Sequence, residues 1–304
     1  MLNRRLLFLS GLLAAIGLPL PAFAQEKLPV VASFSILSDF VREVGGERVA
    51  LTTLVGPDGD AHVYSPTPAD AKAMAAAELV VVNGLKFEGW LTRLVKSSGS
   101  KAPLATATDG IVPLKLQAGD GHGHGGGEDP HAWQSVANAK IYVANILRAL
   151  SAADPAGKAS FEANAAAYLA KLEALEGEIK AAIARIPADR RKAITSHDAF
   201  GYFAKAYGIA FIAPQGVSTE AEASARDVGR IIRQVKAQKV PAVFLENISN
   251  PRLIEQIARE SGARVGGRLY SDALSGSEGP AGTYIAMMKH NISQIEKALA
   301  AGPA

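Results

Sequence analysis

The chain contains no cysteine in its 304 residues. That excludes disulfides, thiolate metal sites and a lipid anchor built on a cysteine at the mature start. Nor is charge of one sign in large excess: Lys plus Arg number 32 against 29 for Asp plus Glu, a net charge of +3. Arg4 and Arg5 supply two of those units, and no basic stripe follows them, so nucleic acid is not expected as a partner. After the N-terminus, no apolar run is long enough to span a bilayer. Any metal site must therefore use nitrogen and oxygen donors.

The N-terminus reads as a leader. Arg4 and Arg5 make a positive start, Leu6 to Leu18 is an apolar run, and Ala22-Phe23-Ala24 offers small residues at a cleavage spacing. Residues 1–24 are expected to be a signal peptide cleaved after Ala24. The run is short and is closed by Pro19 and Pro21, which argues against a membrane anchor. The product is expected to be periplasmic and, without cysteine, not lipid-anchored.

Short apolar runs then alternate with helical patterns. Strands are expected at Val30–Phe34, Leu51–Val55, Leu79–Asn83 and within 103–116, with helices at 36–44, 68–77 and 87–97. The alternation starts again at Ala193–Ser196 and continues through strands at 209–213, 242–245 and 264–266. Helices are expected at 199–207, 225–238, 251–261 and 282–300. Such a pattern means βαβ units and parallel sheets, an α/β fold. Between the two halves, Phe161, Ala165, Tyr168, Leu172, Leu175, Ile179 and Ile183 recur at steps of three and four. With Asp154-Pro155 as a start signal and Pro187 as a stop, about 32 residues would make a rod of roughly 48 Å, a spine between two lobes.

Four metal-capable side chains stand out. His62 sits in Gly-Asp-Ala-His-Val-Tyr-Ser-Pro, His131 in Asp-Pro-His-Ala-Trp, His197 in Thr-Ser-His-Asp-Ala-Phe and Asp272 in Tyr-Ser-Asp-Ala-Leu. Each follows an expected strand, and ligands of open parallel sheets bind beyond the carboxyl ends of strands. Three imidazoles and a carboxylate would fill the shell of a borderline-soft divalent ion, whereas catalytic zinc sites leave a position for water. His122 and His124 lie in the Gly-rich stretch 121–128, which reads either as a surface linker or as a second, weak metal site. His290, on the last helix, reads as an ordinary histidine.

With those motifs on the page, the chain resembles the zinc/manganese solute-binding proteins of bacterial ABC importers, the cluster A-I family. Asp129-Pro130-His131, His62 with Tyr64-Ser65-Pro66, the block from His197 to Phe203, Tyr270 to Leu274, and Val217 to Glu222 are all similar to its motifs. The resemblance implies two lobes, each with a four-stranded, mainly parallel sheet flanked by helices, joined by one long rigid helix. It implies one buried metal held by His62, His131, His197 and Asp272, and delivery of the ion to a permease powered by an ATPase. A metal-loading chaperone is a further candidate partner, and the protein is expected to act as a monomer. The corresponding boundaries are an N-terminal metal-binding lobe at 25–153 with a His-rich loop at 119–128, a linking helix at 154–187 and a C-terminal metal-binding lobe at 188–304. Two departures are visible: Ala61 stands where many relatives have Pro, and the His-rich loop is short.

The expected function is high-affinity capture of a divalent transition metal, with no enzymatic step. Three imidazoles favour Zn²⁺ over Mn²⁺, which prefers more oxygen donors. The alternatives are a manganese-specific protein of the same type and a periplasmic zinc hydrolase. The hydrolase would need a general base, for which Glu222 or Glu246 could serve, but the chain has no helical His-Glu-x-x-His pair.

Overall fold

The computed structural model describes residues 26–116 and 127–300. The expected leader and His122 and His124 lie outside them. The element order is β1 (Leu28–Phe34), α1 (Ser35–Gly45), β2 (Val49–Val55), α2 (Pro68–Ala76), β3 (Leu79–Val82), α3 (Leu91–Ser98), β4 (Leu104–Thr106), α4 (Val136–Ala153), α5 (Lys158–Ala184), β5 (Lys192–Ile194), α6 (Gly201–Tyr207), β6 (Ala210–Ile212), α7 (Ala225–Gln238), β7 (Ala242–Glu246), α8 (Arg252–Ser261), β8 (Arg264–Leu269) and α9 (Tyr284–Ala300).

The strands form two four-stranded sheets, ordered β2-β1-β3-β4 and β6-β5-β7-β8. Every pairing is parallel. The central strands are apolar runs because helices cover both faces of a parallel sheet. All four residues of β3, Leu-Val-Val-Val, are buried. Helix ends follow local chemistry. Thr67 and Asp70 make a reciprocal capping box at α2, and Ser224 caps α7 through the Asp227 N–H. Gly208 and Gly262 take left-handed conformations that close α6 and α8.

Three readings of the sequence change. Helix α4, not anticipated, occupies the end of the front half; its buried face of Val136, Ala139, Tyr142, Val143, Ile146 and Leu150 has helical spacing. The central helix α5 has 27 residues, about 40 Å, preceded by a 3₁₀ turn in which the Asp154 side chain accepts the Gly157 N–H. Residues 87–90, expected to be helical, form a turn instead. The chain enters it through Gly84, Leu85 and Lys86, all at positive φ (89°, 52° and 63°). This unfavourable backbone is fastened by Glu88, which is buried and accepts from Ser33 Oγ (2.7 Å), Asn83 N (2.6 Å) and Gly84 N (3.3 Å).

The two lobes share one apolar core. Phe40, Tyr142, Phe161, Tyr168, Leu172 and Ile295 belong to one cluster that runs through α1, α4, α5 and α9. Helix α5 packs on α1 and α4 of the front lobe and on α9 and α6 of the rear. Trp133 Nε1 and Gln134 Nε2 both donate to Ser271 O of the rear lobe, at 2.8 and 2.7 Å. A second, smaller cluster lies under α7 and α8.

One charged group sits in the shared core. Asp39 on α1 is 1% exposed and accepts the Tyr284 N–H at the start of α9, at 2.8 Å. Burial pushes its carboxyl up to about 6, against the lowering effect of that hydrogen bond. Because the folded value lies above the unfolded one, ionised Asp39 costs stability above pH 6, and the cost fades as pH falls from there towards 3.8. The shift corresponds to about 3 kcal/mol as an upper bound. Asp39→Asn keeps an acceptor for Tyr284 and is expected to raise the stability of the metal-free protein by about 1–3 kcal/mol at pH 7.5. The gain should shrink towards pH 4.5. Urea titrations at both pH values check this; an equal gain at both would remove Asp39 ionisation as the cause.

Candidate metal centre

His62, His131, His197 and Asp272 each offer one donor atom, and those atoms all lie within 4.8 Å of one another. Each arrives from the carboxyl end of a strand. His62 follows β2, His131 lies in the connection from β4 to α4, His197 is three residues past β5 and Asp272 three past β8. Each lobe supplies two of them. His62 Nε2 lies 3.1 Å from Asp272 Oδ2 and 3.3 Å from His131 Nε2. His197 Nε2 is 3.1 Å from the same carboxylate oxygen, and His131 Nε2 is 3.6 Å from Asp272 Oδ1. That Oδ1 is buried without a hydrogen-bond partner. An orphaned, buried carboxylate oxygen among three imidazoles is the donor chemistry of a cation site.

Two carboxylates, Asp129 and Glu246, orient the rings, a role not read from the sequence. His131 Nδ1 faces Asp129 Oδ1 at 2.8 Å, and the same oxygen accepts the His131 N–H at 2.9 Å. His197 Nδ1 faces Glu246 Oε2 at 2.7 Å. Such partners fix the tautomer so that Nε2 is presented to a cation. The Asp-Pro-His spacing held the first signal. Glu246 stands at the carboxyl end of β7, where the rule for parallel sheets could have found it. Its Oε1 accepts the Ser196 and His197 N–H groups at 2.6 and 3.0 Å while Oε2 lies against His197 Nδ1, so the carboxylate is turned to His197. Gly201 lets the Asp129 carboxylate pass: a Cβ there would lie 2.6 Å from Asp129 Oδ2.

His62 is held differently. Its N–H donates to Asp60 Oδ1 at 2.9 Å, and Trp90 Nε1 donates to the preceding Ala61 O at 2.8 Å. These bonds fix a backbone that has no proline at 61. Phe87 meets the ring edge-on, centroids 4.7 Å apart. The other ordinary-looking histidine, His290, lies outside this cluster and contacts Arg268 O at 3.0 Å.

The electrostatics are uneven. Burial lowers His62, with only partial relief from Asp272. Burial also opposes charge on His131, but Asp272 and Asp129 outweigh it and push the ring up to about 9. His197 is likewise raised well above its ordinary value by Glu246 and Asp272, against burial. Burial would raise Asp272, yet His131 and His197 hold it well below the usual carboxylate range. The neighbouring carboxylates thus favour the charged forms of two of the three rings.

Comparison with known proteins agrees with this architecture. A family described as zinc-uptake complex component A, periplasmic, matches residues 30–298. The iron-binding protein YfeA of Yersinia pestis is 34% identical over 277 residues, covering 91% of this chain and 88% of its own. The manganese ABC transporter substrate-binding lipoprotein PsaA of Streptococcus pneumoniae is 33% identical over 299 residues, with 96% and 95% covered. Among solved structures, the periplasmic zinc-binding protein TroA of Treponema pallidum superposes with a TM-score of 0.85 at 30% identity, over 90% of this chain and all of its own. No helix among the described residues is long and apolar enough to cross a membrane.

Proposed function

Because this chain belongs to the zinc-uptake component A family, metal-binding proteins of bacterial ABC importers rather than enzymes, we infer that it captures Zn²⁺ in the periplasm and hands it to a permease driven by an ATPase. His62, His131, His197 and Asp272 are the proposed ligands. The observation that carries the reading is their convergence from both lobes within 4.8 Å. The relatives are named for iron, manganese and zinc, so the choice of ion rests on the donor set. Three neutral nitrogens and one carboxylate suit Zn²⁺ better than Mn²⁺. The buried site, with its rings fixed by Asp129 and Glu246, suits holding an ion rather than activating water.

Weak auxiliary binding by His122 and His124, and a loading chaperone, belong to the same reading. PsaA is named a lipoprotein, which runs against an unanchored protein. The lack of any cysteine in this chain supports the reading that it carries no lipid on a cysteine and is released after leader cleavage; action as a monomer is part of the same proposal.

Competition titration of metal-free protein with the two ions tests the choice of metal. Zn²⁺ is expected to bind at least about a hundredfold more tightly than Mn²⁺, following the general order of divalent affinities at nitrogen-rich sites. Tighter binding of Mn²⁺ would overturn the assignment.

A further inference from the structure

A groove of about 810 Å³ runs between the lobes, and of the four proposed ligands it reaches His62 alone. His62 is 7% exposed, whereas His131, His197 and Asp272 are at 0%. An ion leaving the centre by this groove must pass His62. That residue is also the one imidazole of the three whose ring has no carboxylate on its far nitrogen among the described residues. Its backbone is held by Asp60, through the His62 N–H, and by Trp90, through Ala61 O.

Asp60 is shared between the lobes beside the groove. Its Oδ1 accepts the His62 N–H, and its Oδ2 accepts the hydroxyl of Thr219 at 2.6 Å. Thr219 belongs to the rear lobe, in the segment between β6 and α7. This segment starts beside His197, where the Gln215 N–H donates to Ser196 O at 3.3 Å and the Asp198 N–H to Gly216 O at 3.1 Å. It reaches Asp60 and returns to the α7 cap at Ser224. Gln215, Val217, Ser218 and Glu220 of the same segment line the groove. The segment therefore spans from the surroundings of a rear-lobe ligand to the residue that holds a front-lobe ligand. The bonds from Trp133 and Gln134 to Ser271 are buried in the shared core, and Asp58, two residues before Asp60, ties the same loop to the rear lobe through its N–H on Leu274 O at 2.8 Å and its Oδ1, which accepts from Asn247 Nδ2 at 3.0 Å. The Asp60–Thr219 bond is only partly buried, and of these cross-lobe bonds it is the one made by the side chain that also accepts the His62 N–H.

We propose that Asp60 and Thr219 form a strap that sets how fast the bound ion is released. Closed, it holds His62 in place and joins the lobes beside the groove; open, it loosens His62 before any other ligand. Thr219 is thus a positioning residue, acting on His62 through Asp60. This inference rests on the reading that His62, His131, His197 and Asp272 hold the ion.

The test compares the full mature protein with Thr219→Val and Thr219→Ser, each loaded with an equivalent of Zn²⁺ and mixed in a stopped-flow cell with excess chromogenic chelator. Thr219→Val is expected to release Zn²⁺ about tenfold faster, the size of losing a hydrogen bond to a charged acceptor. Thr219→Ser, which restores the hydroxyl, should stay within about twofold of the parent rate. Release from Thr219→Val at the parent rate would overturn the strap while leaving the ligand assignment intact, and so would a Thr219→Ser rate as fast as Thr219→Val. Should the parent protein take up no Zn²⁺ at all, the ligand assignment fails and the strap with it.

Discussion

His197→Ala is expected to cut Zn²⁺ affinity by about two to three orders of magnitude and to erase most of the metal-induced rise in melting temperature. One ligand of four contributes on the order of a quarter of the roughly 10–16 kcal/mol that comparable zinc sites gain. The loss has a second origin. His197 is fully buried and stands between Glu246 at 2.7 Å and Asp272 at 3.1 Å. Removing it leaves two buried carboxylates facing each other across a cavity, which is strongly destabilising. The metal-free variant should therefore melt earlier than the parent, and added Zn²⁺ should restore little of the difference. Scanning calorimetry with and without Zn²⁺ reads both effects. A melting shift on metal addition equal to the parent's would remove His197 from the ligand set.

Asp272→Asn is expected to have an effect of similar size and a distinct proton signature. In the parent, Asp272 supports the charged forms of His131, pushed up to about 9, and of His197, raised well above its ordinary value. Both shifts favour the rings holding their protons at neutral pH. A divalent cation must evict them, so Zn²⁺ binding near pH 7 should release about two protons, and affinity should climb by up to about a hundredfold per pH unit until the first ring is neutral. The sign is fixed by the direction of both shifts: raised imidazoles oppose metal more as pH falls. Asparagine keeps the shape of Asp272 and removes its charge. It should lower affinity by about two to three orders of magnitude and reduce the protons released by about one, since Asp129 and Glu246 still face the outer ring nitrogens. Isothermal titration in buffers of different ionisation enthalpy counts those protons. An unchanged count in the variant would contradict this account of the pocket charge.

Much of the architecture was legible along the chain. The run from Leu79 to Val82 and the periodic face of α7 are local signals, and the structure repeats them almost residue for residue. Helix α4 carried an equally clear periodic face and was passed over, so nothing physical hid it. The turn at Gly84-Leu85-Lys86 is different in kind. Leucine and lysine disfavour positive φ. They adopt it here because buried Glu88 accepts the N–H groups of Asn83 and Gly84 and the Ser33 hydroxyl, a bond made across 55 residues of chain. No window of sequence contains that compensation.

The chain by itself determined the donor chemistry: without cysteine only nitrogen and oxygen are available, and His62, His131, His197 and Asp272 each lie in a segment that follows a strand. Only the tertiary structure decided that these four meet, that Asp129 and Glu246 aim two of the rings, and that Asp60 and Thr219 join the lobes beside the third. The reason is range. Propensity and periodicity act over a few residues, whereas His62 meets His131 across 69 residues, His197 meets Asp272 across 75 and Thr219 meets Asp60 across 159. Such contacts exist only after the shared core of α1, α4, α5 and α9 has fixed how the two sheets face each other.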